Sequence, residues 1–432
     1  MDMGGDYMDG KTYEGYVAIL KEELIPAMGC TEPIALAYAA ALARKTLGAL
    51  PEEVEVTVSA NIIKNVKSVV VPHTGSMRGI EAAAAAGIVA GDAELELEVL
   101  SRVTEADVAE MREYLDTHTV SVKRSESGYI FDIQVLVRRG PDSAFVQLAG
   151  NHTNVIRVEK NGEVLSSRDF SEEGQDEMTP RDILNVEDIV AFADTVSIDD
   201  VRETLDRQIR YNTDIAQEGL TGKWGAAVGC VLLKAYGNGV ANRAKAIAAA
   251  GSDARMSGCE LPVIINSGSG NQGMTASLPV IEYANELGAS DELLYRALVV
   301  SNLITIHLKS GIGRLSAYCG ATSAGCGAAA GITYLYGGKA NEIAHTVVNA
   351  VAIASGMICD GAKPSCAAKI ASAVEAGLLG MQMQMQGKEF LGGDGIVVKG
   401  VENTIRNIGR LARQGMAETD KEIIDMMISP QC

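Results

Sequence analysis

The chain has 432 residues, enough for two or three domains and a large core that needs no covalent stapling. Its formal net charge of −19, from 37 basic against 56 acidic residues, argues against nucleic acid or an anionic membrane as partner, since either needs a concentrated positive face. Eight cysteines are far below disulfide-scaffold density, and the opening MDMGGDYMDG lacks a basic-then-apolar signal pattern, so a cytoplasmic protein with free thiols and no membrane span is expected.

Tyr13 to Leu47 reads as helix, interrupted by Pro26, Gly29 and Pro33. In GCTEP (Gly29 to Pro33), Thr31 is a candidate N-cap, which puts Cys30 just ahead of a helix start, where the positive dipole end favours a thiolate. The bland reading is a helix-loop-helix with a buried cysteine. Pro51 to Ala60 alternates as a strand, Arg78 to Ala90 is an alanine-rich helix, and Glu105 to Leu115 is a polar helix. Val120 to Lys123, Tyr129 to Arg138, Ala144 to Ala149, Asn154 to Lys160 and Val164 to Ser167 read as antiparallel strands, with a hairpin turn at Asn161 to Glu163. Ser171 to Asp182 is acidic and turn-rich, a linker. From Val201 onward almost everything reads as helix separated by glycine loops. The expected fold is α+β: a large all-α, glycine-rich catalytic domain (176–432), a smaller α+β module with antiparallel strands (49–175), and N-terminal helices (1–48) that pack on the helical domain and carry Cys30 with them.

Four cysteines fall in two glycine- and alanine-rich segments, YCGATSAGCG (Tyr318 to Gly327) and ICDGAKPSCA (Ile358 to Ala367). Three sulfurs there can hold one metal centre, but the spacings contain no C-x2-C unit and fit no zinc-finger or ferredoxin pattern. Further glycine-rich loops, GLTGKWG (Gly219 to Gly225), SDARMSG (Ser252 to Gly258) and NSGSGNQG (Asn266 to Gly273), offer backbone N–H groups at helix starts, which suits the carboxylate of a small ligand. Equally, the glycines merely let helices approach. His73, His152 and Lys223 lie on polar turns, where such residues more often hydrogen-bond than catalyse. No Ser-His-Asp order, HExxH, CxxC or Walker loop appears.

Taken together, GCTEP, EGLTGKWG, SDARM, NSGSGNQG, RLSAYCGAT and SGMICDGAKPSCA resemble, in the same order and over nearly the whole chain, the L-cysteine desulfidase family, which is related to the α-chain of iron–sulfur L-serine dehydratases. The resemblance implies a [4Fe–4S] cluster on Cys319, Cys359 and Cys366, with one iron left free to act as Lewis acid, and cleavage of L-cysteine to pyruvate, ammonia and sulfide without pyridoxal phosphate. It implies Cys30 as proton acceptor, a fourth cluster ligand being the alternative. Loop chemistry adds Ser267, Ser269 and Asn271 as carboxylate binders, helped by Arg255 or Lys223, with His73 and His152 lining the entrance. Cys326 reads as packing and Cys432 as an untethered terminal thiol. The tripeptide at Asn65 reads NVK, a departure from the family pattern. L-serine dehydration by the same geometry is the competing activity, and a non-catalytic iron–sulfur sensor is the reading from another class. A homo-oligomer is compatible with all three.

Overall fold

A computed structural model describes residues 8–28, 31–170, 178–313 and 316–428. The N-terminal helix α1 (Gly10–Glu23) starts where the Asp9 carboxylate accepts from the backbone N–H groups of Lys11 and Thr12. A short strand β1 (Pro26–Met28) follows, then α2 (Thr31–Leu47), β2 (Glu53–Val58), α3 (Ala60–Val66), α4 (Gly79–Ala90) and α5 (Glu105–Thr117). Strands β3 (Val120–Arg124), β4 (Asp132–Arg139), β5 (Asp142–Ala149), β6 (Val155–Lys160) and β7 (Glu163–Ser167) complete a six-stranded sheet of order β3-β2-β4-β5-β6-β7. The turn between β6 and β7 puts Asn161 and Gly162 at positive φ, as an Asn-Gly hairpin requires.

The sheet is not wholly antiparallel as expected. The β2–β3 pair is parallel, because the chain between them crosses over through α3, α4 and α5. All other neighbours run antiparallel, so the α+β class stands.

The remaining chain is helical: α6 (Val186–Thr195), α7 (Ile198–Gly219), α8 (Val228–Tyr236) and α9 (Val240–Met256), then strand β8 (Pro262–Ile264), α10 (Gly270–Leu287), α11 (Asp291–Ile312), α12 (Gly320–Leu335), α13 (Ala340–Ala354), α14 (Cys366–Met385), α15 (Val401–Arg410) and α16 (Ala417–Ile428). Among the described residues no helix is long and apolar enough to cross a membrane.

Two large hydrophobic cores form among the described residues, beside a small alanine cluster of α9 and α14. One joins α1 to the helical array through Tyr16, Ile19, Leu20 and Leu24. The other lies between the sheet and α2, α4 and α5, and α2 alone gives it Leu36, Tyr38, Leu47 and a run of buried alanines. Residues 31–47 therefore belong with the sheet and not, as expected, with the helical domain: a helix that is apolar all round buries itself where a sheet face needs covering. The change from one core to the other falls between β1, which ends at Met28, and α2, which starts at Thr31. β1 stays behind as the antiparallel partner of β8, with Pro26 opposite Ile264 and Met28 opposite Pro262.

Candidate functional site

The two cysteine segments, forty residues apart in sequence, are docked on each other. Tyr318 and Ile358 form an antiparallel bridge; the Cys319 N–H donates to the Met357 carbonyl at 3.0 Å and the Cys359 N–H to the Ala317 carbonyl. Cys319 is the N-cap of α12 and Cys366 the first residue of α14, so two of the three sulfurs sit at helix N-termini. α12 and α14 cross closely because Gly325 and Gly377 meet backbone to backbone: a methyl on Gly377 would stand 2.4 Å from the Gly325 carbonyl oxygen.

The thiols of Cys319 and Cys359 are hydrogen-bonded to each other, and this bond separates their ionisation: Cys359 is held well below the usual thiol range and Cys319 well above it. The backbone N–H of Gly361 and the charges of Lys64 and Lys363 further stabilise the Cys359 thiolate. Burial pushes Cys366 up; its Sγ lies 3.5 Å from the Gly361 carbonyl. Lysines surround these sulfurs. Lys64, only 4% exposed, is ion-paired to Asp420 and reaches the Ser316 carbonyl at 3.5 Å. Lys309 donates to the Gly313 carbonyl at 2.6 Å, and burial lowers its pKa against the pull of Cys359 and Cys319. Asp360 holds the loop by pairing with both Lys363 and Lys369.

The sheet module contributes to this site through α3. The Ala362 N–H donates to the Lys64 carbonyl at 3.0 Å, and Gly361, at φ +90°, approaches so closely that a Cβ would stand 2.3 Å from that same oxygen. One residue along α3, Asn65 donates to Glu32 of α2 at 3.1 Å. Glu32 in turn raises the pKa of His152, although burial dominates and leaves it lowered. His152 packs edge-on against Phe131, and its Nε2 is buried without a partner.

From the helical side comes the loop 266–271. Asn266 is buried and anchored by Asn302, its Nδ2 lying 3.0 Å from the Asn302 Oδ1, while Asn302 is locked to Gln208 by two amide hydrogen bonds. Ser267, at φ +50°, donates to Asn266 Oδ1 at 2.8 Å; Ser269 is the N-cap of α10. Arg255 reaches Asn271 Oδ1 at 3.5 Å. Gln272, the next residue, abuts the start of α12: a methyl on Gly320 would collide with its amide at 2.6 Å. Arg255, Asn271 and the cysteine loops are thus neighbours in one region. Lys223 is exposed, and His73 is exposed at φ +59° with its Nε2 3.4 Å from Glu260. Cys30, Cys432, Arg314 and Leu315 lie outside the described residues.

Among the described residues, twelve buried side-chain polar atoms lack a hydrogen-bond partner, and eight of them belong to three of the motif segments: Ser252, Asp253, Arg255 and Ser257; Gln272; and Tyr318, Thr322 and Ser323. Buried polar groups are usually paired, so these atoms are free to bond a polar ligand or buried water. Sequence reading missed Lys64, Gln272 and Asp253, residues of ordinary type whose burial only the fold reveals.

Among the described residues no three His, Cys, Asp or Glu side chains gather around a single point as the ligands of one metal ion would. Ligands of a cluster bind different irons and stand farther apart. The soft donor set of Cys319, Cys359 and Cys366, with one thiolate already favoured and lysines around it, suits an iron–sulfur cluster chemically.

The family model described as serine dehydratase alpha chain matches residues 94–425. A UPF0597 protein of Desulfitobacterium hafniense is 60% identical over 97% of both chains. UPF0597 proteins of Lachnoclostridium phytofermentans and Treponema denticola are 52% and 46% identical, over 96% and 98% of this chain and 100% and 99% of their own. The chain belongs to the serine dehydratase alpha-chain family, with these UPF0597 proteins as relatives.

Proposed function

We propose that this protein is a lyase that eliminates the β-substituent of a small L-amino acid, cleaving L-cysteine to pyruvate, ammonia and sulfide without pyridoxal phosphate. Its cofactor on this reading is a [4Fe–4S] cluster held by Cys319, Cys359 and Cys366. The observation that supports it most is the docking of the two cysteine segments, with the Cys319 and Cys359 thiols in contact inside a lysine-rich shell. Three protein ligands leave one of four irons free, so the bound cluster supplies a Lewis acid to the leaving sulfur.

The chain's own residues then have defined tasks. Arg255, Asn271 and the N–H groups at the start of α10 bind the substrate carboxylate and fix the α-carbon. Cys30, directly before α2, takes the α-proton as thiolate; the electrons of the broken C–H bond form the Cα–Cβ double bond, and sulfur leaves with the C–S pair. The 2-aminoacrylate released tautomerises to an imine, which water hydrolyses to pyruvate and ammonia. His152, half-buried and with its pKa lowered by desolvation, lines the seam beside Glu32.

L-serine is the second reading, favoured by the family description itself: the same elimination expels hydroxide instead of sulfide. Anaerobic reconstitution with iron and sulfide, followed by assays of pyruvate and sulfide from L-cysteine and of pyruvate from L-serine, separates the two. The expected outcome is a brown chromophore, absent in Cys359→Ala, with pyruvate and sulfide formed in equal amounts. A chromophore without turnover of either amino acid leaves a non-catalytic iron–sulfur protein, and no chromophore at all sinks the cluster. Cys30→Ala should keep the chromophore and lose roughly 10²- to 10⁴-fold in turnover, the usual contribution of a positioned base.

A further inference from the structure

We propose that α16 is a strap across the seam between the two cores, and that Asp420 on it is a positioning residue, acting through Lys64 to hold the two cysteine segments in place. The proposal rests on the lyase reading for what the segments hold, and on contacts of the chain itself for how they are held.

One face of α16 spans the seam. Met416, whose carbonyl accepts from the Asp420 N–H at 2.9 Å, packs on the helical core. Ile424, only 1% exposed, belongs to the sheet core, and Met427 packs against it. Met416, Asp420, Ile423, Ile424 and Met427 recur at three- and four-residue spacing, so they line one stripe, while Glu418, Glu422 and Met426 are exposed. In the middle of that stripe, where the pattern calls for an apolar residue, stands the carboxylate of Asp420. It is ion-paired with Lys64 of α3, the two side chains being 17% and 5% exposed. A pair so placed gains little over two apolar side chains, because removing both charges from water offsets their attraction. What two apolar side chains cannot do is aim a cation.

Lys64 meets both cysteine segments. Its carbonyl accepts from the Ala362 N–H at 3.0 Å, between Cys359 and Cys366, and its Nζ lies 3.5 Å from the Ser316 carbonyl, just ahead of Cys319. At that length the second contact is a charge facing a carbonyl dipole, too loose to hold a flexible lysine by itself. The pairing with Asp420 is what keeps the ammonium there. Ser316 is also tied to the chain that leads into α16: its Oγ donates at 2.8 Å to the carbonyl of Ala412, in the π-helical turn Leu411–Gly415, and accepts from the Tyr318 N–H at 3.0 Å. The C-terminal helix thus reaches the Cys319 segment by two routes, through Ala412 and through Lys64. It reaches the Cys359 segment by anchoring the residue of α3 on which Ala362 is docked.

The test is hydrogen–deuterium exchange of the iron-free full-length protein, read on the Cys319 and Cys359 amides that bond the two segments to each other, with release of iron from the reconstituted protein to a chelator as the second readout. In Asp420→Asn both amides should exchange roughly 10- to 100-fold faster, the effect of losing one hydrogen bond between charged groups, and iron should leave several-fold faster. That variant also leaves a buried lysine unpaired, so Lys64→Met/Asp420→Leu separates position from stability. The double variant completes the apolar stripe and should unfold at a urea concentration no lower than wild type, with α11 amides unchanged, yet still exchange fast at Cys319 and Cys359. It decides the matter if Asp420→Asn does not fold. Wild-type exchange at both amides in the double variant overturns the proposal and leaves the pair as packing; so does wild-type iron retention in Asp420→Asn. If wild type takes up no cluster while exchange responds as expected, the lyase reading falls and the strap stands. A cluster with turnover, and exchange unaltered in both variants, means the reverse.

Discussion

An unpaired buried carboxylate leaves a signature in the stability of the ligand-free chain, and at Asp253 its sign is fixed. The folded-state pKa, about 6, lies above the ordinary 3.8, so the folded chain holds this proton more tightly than the unfolded one. Stability from this group is full below pH 4, declines as pH rises through 6, and stays low above it. The shift corresponds to about 3 kcal/mol at pH 7. Asp253→Asn should therefore raise the urea unfolding free energy by up to about 3 kcal/mol at pH 7.5, a gain that shrinks towards zero at pH 4; the same gain at both values would count against an uncompensated carboxylate. Cys326 is the opposite case. It is buried among the helices and its thiol is pushed up to about 12 by burial alone, so it has packing and no chemistry. Cys326→Ser should lower stability by roughly 1–3 kcal/mol through a buried unsatisfied hydroxyl while leaving iron content after reconstitution unchanged. The three proposed ligands stood out in the sequence because rare residues fell within glycine-rich segments. Asp253 and Lys64 did not, because nothing in an Asp or Lys on a helix announces that the fold will bury it.

At the scale of elements, the site is a set of helix starts held in place by close backbone contacts. α12 and α14 carry Cys319 and Cys366 at their first turns, and their crossing depends on Gly377 lying against the Gly325 carbonyl. A methyl there cannot fit without separating the helices. Gly377→Ala should cost roughly 1–3 kcal/mol by overpacking and, since it moves both N-termini, should also reduce cluster retention. Thermal unfolding together with iron content checks this, and a variant with wild-type values for both would show that the crossing does not set the sulfur positions. The abundance of glycine foretold close helix packing in general, but which glycines meet is a property of three-dimensional register. The same limit explains β3. Its residues form a strand as expected, whereas its direction relative to β2 is set by the α3–α5 crossover and not by its own side chains.

At the scale of the whole molecule, the seam between two cores is where the candidate site lies, and α2 decides how the cores divide. Its sequence TEPIALAYAAALARKTL shows no polar stripe over its middle turns, so it fits either core equally well on paper. In the fold it supplies the sheet core with Leu36, Tyr38, Leu47 and its alanines, packing on α4 and the β4–β5 face. The helical core takes α1 instead. A boundary drawn at residue 48 therefore removes one wall of the sheet core, while a boundary at residues 29–30 keeps it. Expressed alone, a fragment of residues 31–170 should fold cooperatively with dispersed amide resonances, because both layers of its core are present. A fragment of residues 49–170 exposes the sheet face that α2 covers and should aggregate or remain unfolded. Amide spectra and urea titrations of the two fragments distinguish the cases. Equal folding of both would mean that α2 is a covering helix the sheet can dispense with.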